Sequence, residues 1–240
     1  MNMTLSIALR GDTARHPGNT LPALRSALRA GTDLVKIDVH LTHDGYPVLA
    51  DEHLVATPGS APRPVEEMSL AELASARRDV DSRVPTLIEV LAEFRARDVP
   101  NLLVEATAPQ AALAADTLLR ERGFADQLVF TGPPEALDAL RGRSSRARLL
   151  MLQDQPGLPP DDVLRTVRPD FLGTHHSLLT REVITEMRGF GFGVAAWSVN
   201  ELPDMARLVG MGVDAVATER VVDLVPLTRG NREEVAAEPA

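Results

Sequence analysis

Short apolar runs alternate with amphipathic segments along most of the chain. This alternation is typical of a parallel sheet whose strands are connected by helices. Strands are predicted at Leu5–Leu9, Val35–Leu41, Leu102–Glu105, Leu128–Phe130, Arg148–Leu152, Asp170–Gly173, Gly193–Val199 and Ala215–Ala217. Helices are predicted after them at Thr20–Ala30, Leu87–Arg97, Ala111–Arg122, Pro134–Arg141, Asp161–Val167, Thr180–Phe190, Leu202–Val209 and, as a short helix, near Val221. Eight such βα units predict an α/β fold of the (β/α)8 TIM barrel type.

The segment Thr42–Pro85 interrupts this rhythm and predicts a small insertion at the mouth of the barrel. It begins with a tight turn around Gly45, continues with a short strand at Val48–Asp51 and becomes rich in proline. A capping-box spacing then predicts a helix over Ser69–Ala76. We therefore expect a single domain over residues 1–227 with an insertion at about 42–85. The charged, alanine-rich residues 228–240 are expected to form a disordered tail.

Composition removes several functional classes. The formal charge of −9 and the single Trp and single Tyr argue against nucleic acid as a partner. The absence of cysteine excludes disulfides, thiolate metal sites and a cysteine nucleophile. No run approaches the roughly 18 apolar residues of a membrane span. The first residues also lack a basic start and a cleavage-like site, so a soluble cytoplasmic protein is expected.

The only lysine of the chain, Lys36, lies in the second predicted strand. Residues of a strand alternate between its two faces, so Lys36, Asp38 and His40 share one face. A lysine ammonium is compact and its pKa responds to its surroundings, and a single one beside a carboxylate is a candidate for chemistry. An ordinary half-exposed strand with one ion pair explains this segment equally well.

Several sequence blocks occur in an order that resembles the glycerophosphodiester phosphodiesterase family, which are PLC-like phosphodiesterase TIM barrels. These blocks are Leu9-Arg10-Gly11, Pro17–Ala23, Gly31–Asp33, Asp38–Gly45, Pro47–Asp51, Val84–Leu91, Leu103–Glu105, Val194–Asn200 and Gly212–Glu219. The resemblance covers the chain from Leu5 to about Val225. It implies a phosphoric diester hydrolase of lipid metabolism.

The resemblance also implies which residues would carry that activity, and several positions depart from it. Active members use one histidine before the Arg-Gly pair and another in the insertion, and these positions hold Leu9 and Ala50. A Glu-x-Asp pair and a further Glu hold a divalent metal ion, and these positions hold Lys36, Asp38 and Glu105.

Two further family positions also differ. A lysine that contacts phosphate in the family is replaced by Thr107, and the glutamate of its Pro-Glu-Asn-Thr block is replaced by Gly18. The catalytic site is therefore expected to be degenerate.

An ammonium among the metal ligands is expected to expel the ion. Three carboxylates and a divalent ion carry a net charge of −1, and so do two carboxylates and one lysine. We therefore expect Lys36 to form a buried ion pair with Asp38 and Glu105, because an unpaired buried charge is costly. No cofactor is expected, and Ca²⁺ or Mg²⁺ would bind only if this interpretation of Lys36 is wrong.

Three functions remain open from the sequence. The first is a pseudoenzyme with a small-molecule or phosphate-containing ligand at the barrel mouth, with Arg10 as an anion contact and Trp197 as an apolar floor. Arg10 is equally suited to a structural bridge with Asp51 or Glu105. The second is a repurposed enzyme in which Lys36 forms a Schiff base or takes part in acid–base chemistry with Asp38 or Glu105.

The third function is residual phosphodiester hydrolysis through substitute histidines. His40 is the candidate on the polar strand face, although a hydrogen-bonded scaffold role is the favoured interpretation for it. His175 and His176 follow the sixth strand and are expected at the C-terminal face of the barrel, where they are candidates for ligand binding. His16 and His53 are expected in loops beside the mouth.

Overall fold

Eight parallel strands form the wall of a closed barrel. The computed structural model describes residues 3–50, 54–55, 61–76, 83–95 and 101–237. In these residues the strands are β1 (Leu5–Leu9), β2 (Leu34–Leu41), β3 (Pro47–Leu49), β4 (Leu54–Val55), β5 (Arg63–Pro64), β6 (Asn101–Ala106), β7 (Leu128–Thr131), β8 (Leu150–Gln153), β9 (Phe171–His175), β10 (Gly193–Trp197) and β11 (Ala215–Thr218). The hydrogen-bonded order is β7-β6-β2-β1-β11-β10-β9-β8, and a parallel bridge between Phe130 and Leu149 closes the ring.

Helices follow the barrel strands and cover their outer faces. In the described residues they are α1 (Leu21–Ala30), α2 (Leu70–Ala76), α3 (Leu87–Arg95), α4 (Pro109–Glu121), α5 (Pro134–Arg143), α6 (Asp161–Val167), α7 (Arg181–Gly189), α8 (Leu202–Met211) and α9 (Val221–Ala237). The predicted TIM barrel is confirmed, and each predicted barrel strand lies within two residues of the observed bounds. The last helix differs from the prediction of a short helix near Val221 followed by a disordered tail, because it runs to Ala237.

The alternation of side chains along each strand builds two apolar layers. One layer lies between the strands and the helices and includes Val35, Ile37 and Val39 of β2. The other fills the inside of the barrel with Ile7, Leu9, Leu34, Leu103, Val129, Leu150, Ala195, Ala215 and Ala217. The inner face of β2 therefore begins with an apolar residue and continues with Lys36 and Asp38 toward the C-terminal end, where barrel enzymes place their sites.

The turn after β1 is sharply folded against the strand ends. Arg10, Gly11 and Asn19 all have positive φ angles, of 58°, 92° and 55°. A Cβ at Gly11 would lie 2.5 Å from the backbone carbon of Ala23, so only glycine fits this close approach. The amide of Arg10 donates to the carbonyl of Lys36 at 3.0 Å, and the amide of Asn19 donates to the carbonyl of Arg10 at 2.9 Å. This turn fixes Arg10 and Asn19 at the mouth.

The insertion follows β2, as predicted, and folds back onto the barrel. β3 runs antiparallel to β2, with Val48 opposite His40, and a single 3-10 turn at Val65–Glu67 follows β5. The predicted capping box is confirmed, since the Ser69 amide donates to Glu72 Oε2 at 2.8 Å and the Glu72 amide donates to Ser69 Oγ at 3.3 Å. None of the described helices combines the length and the apolar character that a bilayer crossing requires.

A second capping box begins α3, where the chain leaves the insertion. Glu89 Oε2 accepts from the amide of Thr86 at 2.9 Å, and the Glu89 amide donates to Thr86 Oγ1 at 3.3 Å. Hydrogen bonds from Arg83 and from Thr86 lower the pKa of Glu89 from 4.5 to about 2, although partial burial opposes them. The free energy that these contacts contribute to folding is therefore complete above pH 4.5 and is lost as pH falls toward 2.

We predict that Glu89→Gln lowers the free energy of unfolding at pH 7 by about 1 kcal/mol, as expected for a partly exposed helix cap. The difference from the unmodified protein should shrink at pH 3, because Glu89 is then protonated in the unfolded state while it stays mostly ionised in the folded state, which removes part of its contribution to stability. Urea unfolding followed by circular dichroism measures both values. Glu186→Gln, at an exposed position of α7, is the control, and a Glu89→Gln difference that grows on acidification would contradict this account.

Candidate functional site

Strand register places three polar side chains in one row at the C-terminal end of the barrel. Asp38 of β2 lies beside Glu105 of β6, and Glu105 lies beside Thr131 of β7. Lys36 lies one inward position deeper, next to Leu9 and Leu103. A lysine that rises from this lower level has the length to reach the row above it.

The Lys36 ammonium lies between two carboxylates. Its Nζ contacts Oδ1 of Asp38 and Oε2 of Glu105. The Lys36 side chain is only 12% exposed, while those of Asp38 and Glu105 are 15% and 31% exposed. The predicted ion pair is therefore confirmed, and Glu105 is its more solvated member.

The surroundings of Lys36 act on its pKa in opposite directions. Burial lowers the pKa because it removes water from the ammonium, and the charges and hydrogen bonds of Asp38 and Glu105 raise it. The carboxylates prevail, so the pKa of Lys36 lies above its ordinary value of 10.5. Lys36 is a permanent cation at physiological pH.

Asn19 holds the other side of Asp38. Its Nδ2 donates to Asp38 Oδ2 at 3.1 Å and to the carbonyl of Ala50 at 3.0 Å, while its Oδ1 accepts from the Asp38 amide at 3.1 Å. Asn19 is 1% exposed. Asn19 was not predicted as a site residue, although Asn19 belongs to the Pro17–Ala23 block that carries the family resemblance.

A second ion pair closes the mouth near β1 and β11. Arg10 Nη2 contacts Glu219 Oε1 at 2.9 Å, and Asn200 Nδ2 donates to Glu219 Oε2 at 3.1 Å. A bridge from Arg10 to Asp51 or Glu105 was one of the alternatives, and the bridge seen among the described residues runs to Glu219, which was not considered as a site residue. The alternative partner, Asp51, lies outside the described residues.

The two ion pairs border a cavity of about 360 Å³ that opens at the barrel mouth. Its polar lining consists of Arg10, Lys36, Asp38, Glu105, Thr131, Ser198 and Glu219, and its apolar lining consists of Ile7, Leu9, Leu103, Leu150, Leu152, Ala195, Ala196, Trp197 and Ala217. The Trp197 ring is fixed by a hydrogen bond from Nε1 to the Gly173 carbonyl at 3.0 Å. Trp197 thus contributes to an apolar wall, as predicted.

His40, predicted as a candidate catalytic residue, is not among the described residues that line this cavity. Its ring is 4% exposed, and its Nδ1 lies 2.9 Å from Oε1 of Glu66 in the 3-10 turn of the insertion. The antiparallel pairing of β2 with β3 covers the end of the strand at this level, which explains why a residue on the polar face misses the cavity. This contact fits the scaffold role favoured for His40.

The paired histidines lie beside the cavity and do not contribute to its lining. The His175 ring packs edge-on against Trp197 at 6.0 Å and lies 4.6 Å from the His176 ring. Burial and the neighbouring charge of His175 lower the pKa of His176. Their expected place at the C-terminal face is correct, whereas direct ligand contact is not supported. His16 is half-buried in the loop after β1, and His53 lies outside the described residues.

Aliphatic side chains stand where the resemblance implies histidines. Leu9 lines the cavity beside Lys36. Ala50 is 3% exposed and packs in the apolar cluster of the insertion. Neither side chain can accept or donate a proton.

The donors at the mouth do not fit a divalent metal ion. Such an ion prefers several carboxylate or carbonyl oxygens, whereas the facing oxygens of Asp38 and Glu105 already bind the Lys36 ammonium. Within the described ranges no group of three or more His, Asp or Glu residues is arranged to hold a metal. An ion could bind here only after the ammonium had moved away.

Comparison with known proteins agrees with the barrel and with the sequence blocks. A sequence model of the glycerophosphoryl diester phosphodiesterase family matches residues 10–223. A glycerophosphodiester phosphodiesterase of Caldanaerobacter subterraneus subsp. tengcongensis is 23% identical over 238 residues, which cover 94% of this chain and 98% of the relative.

Solved structures show the same fold. A crystal structure of a protein described as a glycerophosphoryl diester phosphodiesterase from Silicibacter pomeroyi superposes with a TM-score of 0.83 at 22% identity, over 95% of this chain and 94% of the other. A phosphodiesterase of Oleispira antarctica, solved in complex with the product sn-glycerol-3-phosphate, gives a TM-score of 0.83 at 21% identity, over 95% and 97% of the two chains.

We predict that Lys36→Met lowers the free energy of unfolding by about 3 kcal/mol, because it leaves Asp38 and Glu105 as neighbouring uncompensated carboxylates. Urea unfolding in the presence of EDTA measures this loss without help from metal ions. The variant Lys36→Met/Asp38→Asn/Glu105→Gln removes all three charges and should recover most of the stability. A Lys36→Met protein as stable as the unmodified one would show that the ammonium does not hold the mouth together.

Proposed function

The chain belongs to the glycerophosphoryl diester phosphodiesterase family, and from this premise we propose that it is a pseudoenzyme, a ligand-binding barrel without the family's metal-dependent hydrolysis. The observation that carries the proposal is the position of Lys36 Nζ against both Asp38 and Glu105. A cation tethered to β2 balances the two acids, so the mouth keeps its charge without an ion.

The side chains at positions 9 and 50 support the loss of hydrolysis. Proton transfer by a positioned side chain typically accelerates a reaction by about 10²–10⁴-fold. Leu9 and Ala50 supply no proton acceptor or donor where the resemblance implies the acid and the base. Losing both groups together with the metal ion removes the principal sources of catalysis.

The cavity supports a binding role. Its volume of about 360 Å³ falls within the usual range for small-molecule sites, and it combines apolar walls with a few polar groups. A small-molecule or phosphate-containing ligand at the barrel mouth is therefore the expected partner. The Oleispira antarctica relative was solved with sn-glycerol-3-phosphate, which makes this compound a reasonable first probe.

Schiff-base chemistry at Lys36 is disfavoured by its environment. An amine attacks a carbonyl only in its neutral form, which requires a lowered pKa. The two carboxylates beside Lys36 outweigh the effect of burial and raise its pKa. An enzyme that uses Lys36 as a nucleophile would need surroundings that lower the pKa of Lys36.

Hydrolysis through substitute histidines is disfavoured because no histidine is among the described residues that line the cavity. His40 is turned toward Glu66, and His175 contacts the Trp197 ring and Ser177. A general acid or base must reach the proton that it transfers, directly or through one water molecule. None of these three contacts directs a histidine side chain toward Lys36, Asp38 or Glu105.

We predict that the protein releases no choline from glycerophosphocholine above background, with Ca²⁺, with Mg²⁺ or with EDTA. The assay measures choline by enzyme-coupled oxidation, and an active family member is the positive control. Metal-dependent release of choline by the unmodified protein would overturn the proposed function, because it would show a working hydrolase with Lys36 in place.

We also predict that Leu9→His/Lys36→Glu/Ala50→His binds Ca²⁺ or Mg²⁺ at one ion per chain, because it supplies a third carboxylate and removes the competing ammonium. Isothermal titration calorimetry measures the affinity. The matched control is Leu9→His/Ala50→His, which retains Lys36 and should bind at least about tenfold more weakly. Equal affinity in the two variants would show that Lys36 does not exclude the ion.

A further inference from the structure

The polar atoms of the cavity restrict the class of ligand that it can bind. This inference rests on the proposed function, in which the protein is a ligand-binding barrel. We propose that the barrel binds a neutral amphiphilic alcohol. A hydroxyl group of the ligand bridges Thr131 Oγ1 and Glu105 Oε1, and its hydrocarbon part lies against the leucines of the cavity wall.

Thr131 provides a hydroxyl group that has no hydrogen-bond partner among the described residues. The residue is 1% exposed and lines the cavity. Its Oγ1 is buried and has no hydrogen-bond partner within the part of the chain that the structure describes. Buried hydroxyls in folded proteins normally have a partner, and the cavity is the side from which a ligand can supply one.

Glu105 provides a matching acceptor next to Thr131. Lys36 binds its Oε2, and among the described contacts no donor reaches its Oε1. Glu105 and Thr131 are register partners on β6 and β7, so their side chains enter the barrel at the same level. A ligand hydroxyl can donate to the carboxylate and accept from the threonine at the same time, whereas a phosphate dianion has no proton to donate to the carboxylate.

The charges around the cavity favour a neutral ligand. The described lining carries two cations, Arg10 and Lys36, and three carboxylates, Asp38, Glu105 and Glu219, for a net charge of −1. A phosphate dianion would add negative charge to this surplus. A ligand ammonium at Glu105 would lie close to the Lys36 ammonium on the same carboxylate, and like charges in a partly buried site repel.

The apolar lining of the cavity suits a hydrocarbon chain. Leu103, Leu150 and Leu152 line it together with Ile7, Leu9, Ala195 and Ala217. The small side chains of β10 and β11 leave this space open between the larger residues of the other strands. Each methylene group buried there strengthens binding by about three- to fourfold, so affinity should rise with chain length until the space is filled.

Isothermal titration calorimetry with hexane-1,2-diol tests the inference on the unmodified protein in EDTA. We expect one saturable site, and butane-1,2-diol should bind about tenfold more weakly because it lacks two methylene groups. Hexyl phosphate and hexylamine carry the same chain with a negative or a positive group and should bind more weakly than the diol. Glycerol tests the hydroxyl groups without the chain.

Two variants of Thr131 separate a ligand contact from packing. Thr131→Val keeps the shape of the side chain and should weaken the diol by about tenfold through loss of the hydrogen bond, while Thr131→Ser should retain most of the affinity. Thr4→Val is the control, because Thr4 is fully buried just before the N-terminal end of β1, does not line the cavity, and donates its hydroxyl hydrogen bond to the Val213 carbonyl. Thermal unfolding without ligand checks that each variant folds.

The outcomes distinguish this inference from the proposed function. Hexyl phosphate or hexylamine binding more tightly than the diol, or Thr131→Val binding the diol as well as the unmodified protein, would overturn the neutral-alcohol inference and leave a metal-free binding barrel in place. Saturable diol binding that depends on Thr131 supports it. The proposed function fails on a different result, the metal-dependent hydrolysis of glycerophosphocholine.

Discussion

The contact between one ammonium and two carboxylates determines the organisation of the barrel mouth. Asp38 and Glu105 are brought together by the register of neighbouring parallel strands, and their proximity would be unfavourable without a cation. Lys36 supplies that cation from the level below. Because the charge is part of the chain, it cannot dissociate, and Asn19 holds the second oxygen of Asp38 from the other side.

The alternation of apolar and polar residues was sufficient to predict the barrel and the shared face of Lys36 and Asp38, whereas Glu105 was predicted to join them from the family resemblance. A period of two places Lys36 and Asp38 on the same face of β2, and parallel pairing then brings Glu105 of β6 beside Asp38. These are consequences of local geometry and of the order of strands. The last helix was harder to predict, because residues 228–237 are polar and alanine-rich, and Thr228 is buried by neighbours that the local pattern does not show.

The two site residues that were not predicted, Glu219 and Asn19, make contacts that local sequence patterns do not show. Glu219 follows the last strand and contacts Arg10 after the first, a separation of 209 positions along the chain. Asn19 reaches Asp38 only because the turn after β1 adopts positive φ angles at Arg10, Gly11 and Asn19. For His40 the strand face was predicted correctly. The position of the insertion, whose Glu66 contacts His40, was not predicted.

A lysine can replace the charge of a metal ion without replacing its chemistry. A divalent ion bound by carboxylates keeps further coordination positions that can polarise the oxygens of a phosphate ester. An ammonium has three donors, and Asp38 and Glu105 already engage Lys36. The proposed function follows from this difference, because an ammonium keeps the charge that lets two acids share the mouth and offers no open coordination position of the kind that metal-assisted hydrolysis requires. On that proposal, Leu9 in the adjacent register position and the Thr131 hydroxyl, which has no partner within the described residues, belong to a binding cavity.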